Sequence, residues 1–144
     1  MKKTDLSIIG FSGAREGMTS QQKAILKTFF SLNKSHIKEI HMGMCCGSDD
    51  DICDIALAIN PQLKIVGHPP MDKKFIGITV PDKKYPEKDY LDRNTDIVKE
   101  CTFFIATPKS STPQRSGTWS TINKALKAKK DNLIILPNGT EYNK

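Results

Sequence analysis

Thr107–Ala125, TPKSSTPQRSGTWSTINKA, reads as the end of a buried strand, a polar loop and then a helix that begins near Gly117. A helix start carries backbone N–H groups without intrahelical partners and the positive end of the helix dipole. A loop that places Arg115, Ser116, Gly117 and Thr118 there therefore suits a phosphate or carboxylate. The same residues have a plainer reading, with Ser116 as an N-cap and Gly117 as a turn. The rest of the chain bears on the choice.

Working outward, Cys101 to Ala106, CTFFIA, is a strand that feeds this loop, and Tyr90 to Glu100, YLDRNTDIVKE, is a helix with Leu91, Ile97 and Val98 on its apolar side and Arg93 and Asn94 early in it. Beyond the loop's helix, Leu133 to Leu136 is a last strand, stopped by Pro137, Asn138 and Gly139. The N-terminal half repeats the alternation. Leu6 to Phe11, LSIIGF, is a short apolar run ending in glycines, as in a strand buried on both faces. Thr19 is an N-cap for a helix over Ser20 to Leu32. The glycine loop that joins them holds Gly10, at the strand's end, with Ser12, Gly13, Ala14, Arg15, Glu16 and Gly17, flanked like a phosphate loop but without a strict GxGxxG or Walker pattern.

Ile37 to Met42 is the second strand, followed by GMCCGSDD and a helix from Asp49 to Ala58. Aspartates 49, 50 and 51 favour a helix start electrostatically. Asp49 also has the chemistry to accept from a ribose hydroxyl, and a di-aspartate metal site lacks a partner cluster. Leu63 to Gly67 is the third strand, ending at His68, Pro69 and Pro70; His68 reads either as a donor to phosphate or base, or as a histidine of the turn. Met71 to Asp89 is the hardest stretch to read: FIGITV has strand character and DKKYPEKD looks like exposed loop, an edge strand with a flap over the pocket.

Strands alternating with helices predict an α/β, Rossmann-like three-layer fold, with a mostly parallel sheet of about five strands in 3-2-1-4-5 order and helices on both faces. Ligands in such folds bind beyond the carboxyl ends of the strands, where the order reverses, between strands one and four. The loops at Ser12 to Gly17 and Thr107 to Thr118 then face each other, with Gly43 to Asp49 beside them. Arg15, Arg93 and Arg115 supply positive charge suited to bidentate phosphate recognition. Trp119 serves either to stack on a base or to fill the space between helix and sheet.

The length of 144 residues suits one domain over 1–144. The start, MKKTDLSIIGFSG, turns polar too soon for a signal peptide and no apolar run approaches membrane-spanning length, so a soluble, cytoplasmic protein without a membrane partner is expected. Cys45, Cys46, Cys53 and Cys101 lack paired CxxC spacing and read as free thiols, with no metal and no cofactor expected. The net charge of +6 permits attraction to polyanions or phosphorylated small molecules. Lys124, Lys127, Lys129 and Lys130 crowd a helix end, where the dipole favours cations; without an RNP-like motif or basic arm, nucleic-acid binding is the minor alternative.

GFSGAREG near the start, MGMCCGSDD after strand two, HPP after strand three, YLDRNTDIV, FFIATP and RSGTWSTINKA together resemble the SLOG superfamily over roughly residues 5 to 139. That Rossmann-like group includes the Lonely Guy phosphoribohydrolases, the DNA-processing protein family and ligand-sensing domains of bacterial conflict systems. The resemblance implies that Arg93 matches the hydrolases' helix arginine and that Gly117 and Thr118 match the GT of their PGGxGTxxE motif. Arg115 and Ser116 replace more glycine-like positions, and Thr121 stands where the motif has glutamate. A carboxylate stabilises an oxocarbenium-like state, by analogy with glycosidases, so its loss disfavours hydrolysis. Glu16, Asp49 and Asp92 are the available substitutes. The expectation is a protein that binds and sequesters a nucleotide or ADP-ribose-derived ligand without turnover, a sponge for a cyclic nucleotide-type immune signal in an anti-defence role. The alternatives are nucleoside 5′-monophosphate N-glycoside hydrolysis and nucleic-acid binding. No catalytic residue is assigned; the ligand-binding set is Gly13, Arg15, Gly47, Asp49, Arg93, Arg115, Ser116, Gly117 and Thr118. The resemblance further implies a homo-oligomer.

Overall fold

The computed structural model describes residues 4–143. Its elements are β1 (Ile8–Gly13), α1 (Ser20–Leu32), β2 (Glu39–Met42), α2 (Ser48–Ile59), β3 (Lys64–Gly67), β4 (Lys83–Lys84), α3 (Tyr90–Glu100), β5 (Phe103–Thr107), α4 (Gly117–Lys127) and β6 (Asp131–Ile134). The six strands form one parallel sheet in the order β4-β3-β2-β1-β5-β6. The fold is Rossmann-like α/β, and the expected order of the five long strands holds.

The sixth strand is a correction, and it lies in the stretch that was hardest to read. β4 is the lysine pair Lys83–Lys84, set against Val66 and Gly67 at the sheet edge, and FIGITV is not a strand. Ile78 and Val80 are 88% and 87% exposed, so this stretch buries no alternating face. Its N–H groups go elsewhere: Ile78 and Thr79 donate to the Asp50 carboxylate. Two lysines on an edge leave no hydrophobic signature, and they blunt the edge against pairing with another strand. β6 also begins two residues before the apolar run, because the ladder with β5 pairs Phe103 with Asp131.

Burial on both faces explains the apolar strands. Along β5, Phe103 and Ile105 join the core under α1 and α2, with Leu26, Phe30 and Ile52. Phe104 and Ala106 point to the other side, under α3 and α4, with Val98, Trp119 and Ile122. Trp119 is thus a core residue, 1% exposed and edge-on to Tyr142 at 5.1 Å between ring centroids. At the start of α1, Thr19 and Gln22 form a reciprocal capping box. The buried Gln22 amide also donates to the carbonyls of Pro108 and Ile135, tying α1 to the ends of β5 and β6. Among the described residues no helix is long and apolar enough to cross a membrane, and all four cysteines are free thiols.

Candidate functional site

β1 and β5 lie side by side where the strand order reverses, with Gly13 paired to Thr107, and their outgoing loops diverge from that point. Between the loops is a cavity of about 660 Å³. Arg15, Lys74, Arg93, Lys109 and Arg115 line it, against two carboxylates, Glu16 and Asp72. The excess of cations in a concave wall focuses positive potential on whatever enters. Lys109 bonds Glu16 at 3.0 Å and holds its carboxyl below the usual range, so Glu16 is ionised at neutral pH. Two aromatic rings share the cavity, each with a guanidinium on its face: Arg15 lies 4.1 Å from the centroid of Phe75 and Arg93 5.2 Å from that of Tyr90.

The wall formed by α4 has the simplest chemistry. Ser116 caps the helix, its hydroxyl accepting from the Trp119 N–H. Gly117 and Thr118 are the first two helical residues, whose N–H groups have no carbonyl one turn earlier. A Cβ built on Gly117 meets nothing within 4 Å, and Gly117 is not among the glycines with positive φ. Neither sterics nor backbone conformation demands a glycine there.

The floor is Arg93, 6% exposed, whose Nη1 donates to the carbonyl of Gly43 and, at 3.4 Å, to that of His68. The guanidinium packs against Gly43, where a Cβ would stand 2.2 Å from Nη1. Arg93 Nε is buried without a hydrogen-bond partner among the described residues. The loop of Gly43 to Cys45 is held from below by Asp49, whose Oδ2 accepts from the N–H groups of Gly43 and Cys45 at 3.1 and 3.0 Å. Burial pushes the Asp49 carboxyl up to about 6, opposed by these hydrogen bonds and by Arg93.

Gly13, Arg15, Arg93, Arg115, Ser116, Gly117 and Thr118 therefore come together around one cavity, and Gly47 and Asp49 do not line it. Asp49 is 6% exposed and is taken up by the loop it supports. Gly47, at φ +81°, presses on the preceding loop, where a Cβ would lie 2.2 Å from the Arg15 carbonyl oxygen. Among the substitute carboxylates, Glu16 lines the cavity and Asp92 does not. Thr121 is fully buried and its hydroxyl donates to the Gly117 carbonyl at 2.9 Å, so this position faces the protein interior. His68 is 1% exposed and outside the cavity. It ends a chain in which the partly exposed Glu39 contacts His41 at 2.9 Å and the buried His41 contacts His68 at 2.8 Å, with Tyr85 stacked on His68 at 4.2 Å. Burial and the neighbouring His41 lower the His68 pKa to about 4.

Sequence reasoning did not assign Asp72, Lys74, Phe75, Tyr90, Lys109 or Gln114 to the site. Lys109 and Gln114 belong to the loop first quoted and carried a signal. Asp72, Lys74 and Phe75 sit in the stretch with no readable periodicity. Among the described residues no group of three histidine, cysteine, aspartate or glutamate side chains is placed to hold a metal ion.

No protein-family model matches the chain, and no curated protein matches it. Among solved structures, the chain is similar to the molybdenum cofactor binding protein from the phototrophic bacterium Rippkaea orientalis, at 19% identity and a TM-score of 0.67, over 90% of this chain and 76% of that one. At that identity the likeness establishes the fold.

Proposed function

We propose that the chain binds a nucleotide or ADP-ribose-derived ligand in the β1/β5 cavity and holds it without turnover, as a SLOG-type sequestering domain. The observation that carries this reading is Gly117: a helix start left bare of side chain without any steric or conformational need, in the cavity lining with Arg115. Close backbone approach to a phosphate is a use for such a glycine. Arg15, Arg93 and Arg115 supply the charge, and Phe75 and Tyr90 add aromatic surface to the lining. The reading without turnover is supported by Thr121, a buried hydroxyl at the position that matches the hydrolase motif's glutamate. N-glycoside hydrolysis is a second reading, favoured by one observation, the ionised Glu16 within the cavity.

The test mixes stoichiometric protein with adenine and guanine monophosphates, ADP-ribose, cyclic ADP-ribose isomers and, because the structural neighbour binds it, molybdenum cofactor. Filtrate and heat-released fractions are then separated by chromatography. Sequestration removes a ligand from the filtrate and returns it intact on heating. A free base accumulating with time establishes hydrolysis instead, and an unchanged filtrate for every compound overturns the cavity as a binding site for these ligands.

A further inference from the structure

A second cavity of about 340 Å³ adjoins the first, and Gln114, Arg115 and Ser116 line both. Its other residues come from one stripe of α4. Ser116, Ser120, Asn123, Lys124 and Lys127 follow each other at four-, three-, one- and three-residue steps, which places them on one side of a helix. The opposite side of α4, with Trp119, Ile122 and Ala125, is packed into the core. The stripe is therefore held at a fixed angle to the sheet, next to the helix start that bounds the first cavity.

The chemistry of this second cavity is of one sign. Arg115, Lys124 and Lys127 are its charged residues, two hydroxyls and two amides complete it, and no carboxylate lines it. Neither lysine has an ion-pair partner among the described residues. Attraction of cations to the carboxyl end of a helix accounts for Lys124 and Lys127 being on α4. It does not account for a concavity that joins them to Arg115, in the loop just before the start of that helix.

We infer that this cavity is a second anion subsite, and that the ligand carries two separate phosphate groups: one held at the start of α4 in the first cavity, and one held by Lys124 and Lys127 along its side, with Arg115 between them. The inference rests on the reading of the first cavity as a nucleotide site and extends it to the ligand class, a dinucleotide or another small bis-phosphate. A polymer is the competing occupant of a basic groove, and the test separates it.

Titration calorimetry of the full chain at low salt uses three probes: AMP, the 5′-phosphorylated dinucleotide pApA, and the hexamer of the same series. The wild type binds pApA about ten-fold tighter than AMP, as expected for one additional phosphate met by two or three partly exposed cations. The Lys124→Ala/Lys127→Ala variant loses that excess and keeps AMP affinity within about two-fold. Thermal unfolding of the variant verifies that it is folded, and Lys124→Gln/Lys127→Gln, which retains the side-chain stems, replaces it if it is not. Equal binding of pApA and AMP by the wild type, or loss of both probes in the variant, overturns the second subsite while leaving the first cavity as read. A hexamer bound about ten-fold tighter than pApA overturns the small-ligand class in favour of a nucleic-acid track. Failure of the wild type to bind any probe overturns both this inference and the nucleotide reading on which it rests.

Discussion

The two walls of the main cavity use glycine in opposite ways. On the β1 side, Gly13 in the wall and Gly43 behind the Arg93 floor give up their side-chain space to the protein itself. A Cβ on Gly13 would lie 2.4 Å from Ser48 Cβ and 2.5 Å from Thr107 Oγ1, and one on Gly43 would collide with Arg93. On the α4 side, Gly117 gives up its space to nothing among the described residues. The first wall is a packed joint between loops, and the second is an open helix start. A glycine in a loop near a cavity is thus weak evidence for a ligand until its missing side chain has been located; only the unclaimed space is available to a guest.

Substitutions can break this contrast or sharpen it. The largest effect is expected from Gly43→Ala, which drives a methyl group into the Arg93 guanidinium and should cost about 3 kcal/mol, measured as a lower urea midpoint at unchanged slope. A midpoint equal to wild type would show that the floor yields easily and that the first wall is not a rigid joint.

Asp49→Asn tests the support beneath that floor through pH. The native carboxyl at about 6 lies above the ~3.9 of an unfolded chain, so Asp49 favours folding below about pH 4 and this contribution, up to about 3 kcal/mol, is lost as pH rises through 6. His68 slopes the other way: its value of about 4 lies below the ~6.5 of an unfolded histidine, so its contribution is complete above that value and lost on acidification toward 4. The two offset each other in the wild type. Asp49→Asn should expose the His68 slope, giving stability that falls steadily from pH 6.5 to 4 in chemical unfolding at each pH. A variant with the wild-type profile would mean that Asp49 does not hold its proton as its burial implies.

On the open wall the effects move from stability to binding. Arg115→Ala should weaken a phosphorylated ligand by more than about ten-fold with no change in Tm, because Arg115 is exposed. Gly117→Ala is the sharpest test of the contrast. It should leave stability unchanged or raise it by up to about 1 kcal/mol, since glycine is the poorer helix former, while lowering affinity for the same ligand. Loss of stability with intact affinity would make Gly117 a structural residue like Gly43. The smallest effect is Thr121→Val, which removes one hydroxyl bond to the Gly117 carbonyl for about 1 kcal/mol and leaves ligand turnover at its wild-type level.

The sequence carried the fold where burial leaves a period. CTFFIA and LSIIGF announce two-sided strands, and Thr19 and Ser116 announce helix starts that the structure places at those residues. It carried Arg15 and Arg115 to a common cavity, because strand order alone puts their loops together, and Arg93 joins them from the first turn of α3. It was silent where contact is made by backbone or by a side chain's reach. The spacing of Asp49 fits a ribose acceptor as well as a loop support, and only the two N–H groups above it distinguish them. Phe75 entered the site from a stretch whose course is set by Asp50, not by hydrophobic pattern.

That carboxylate has a consequence for the motion of the stretch it holds. Asp50 accepts from the N–H of Ile78, the N–H of Thr79 and the hydroxyl of Thr79, so three donors depend on one side chain. The two amides cannot be released to deuterated solvent one at a time by fraying along a ladder; they open when the carboxylate lets go. Their exchange should therefore be correlated, a single latch event read at two neighbouring amides, on a clock separate from that of the sheet.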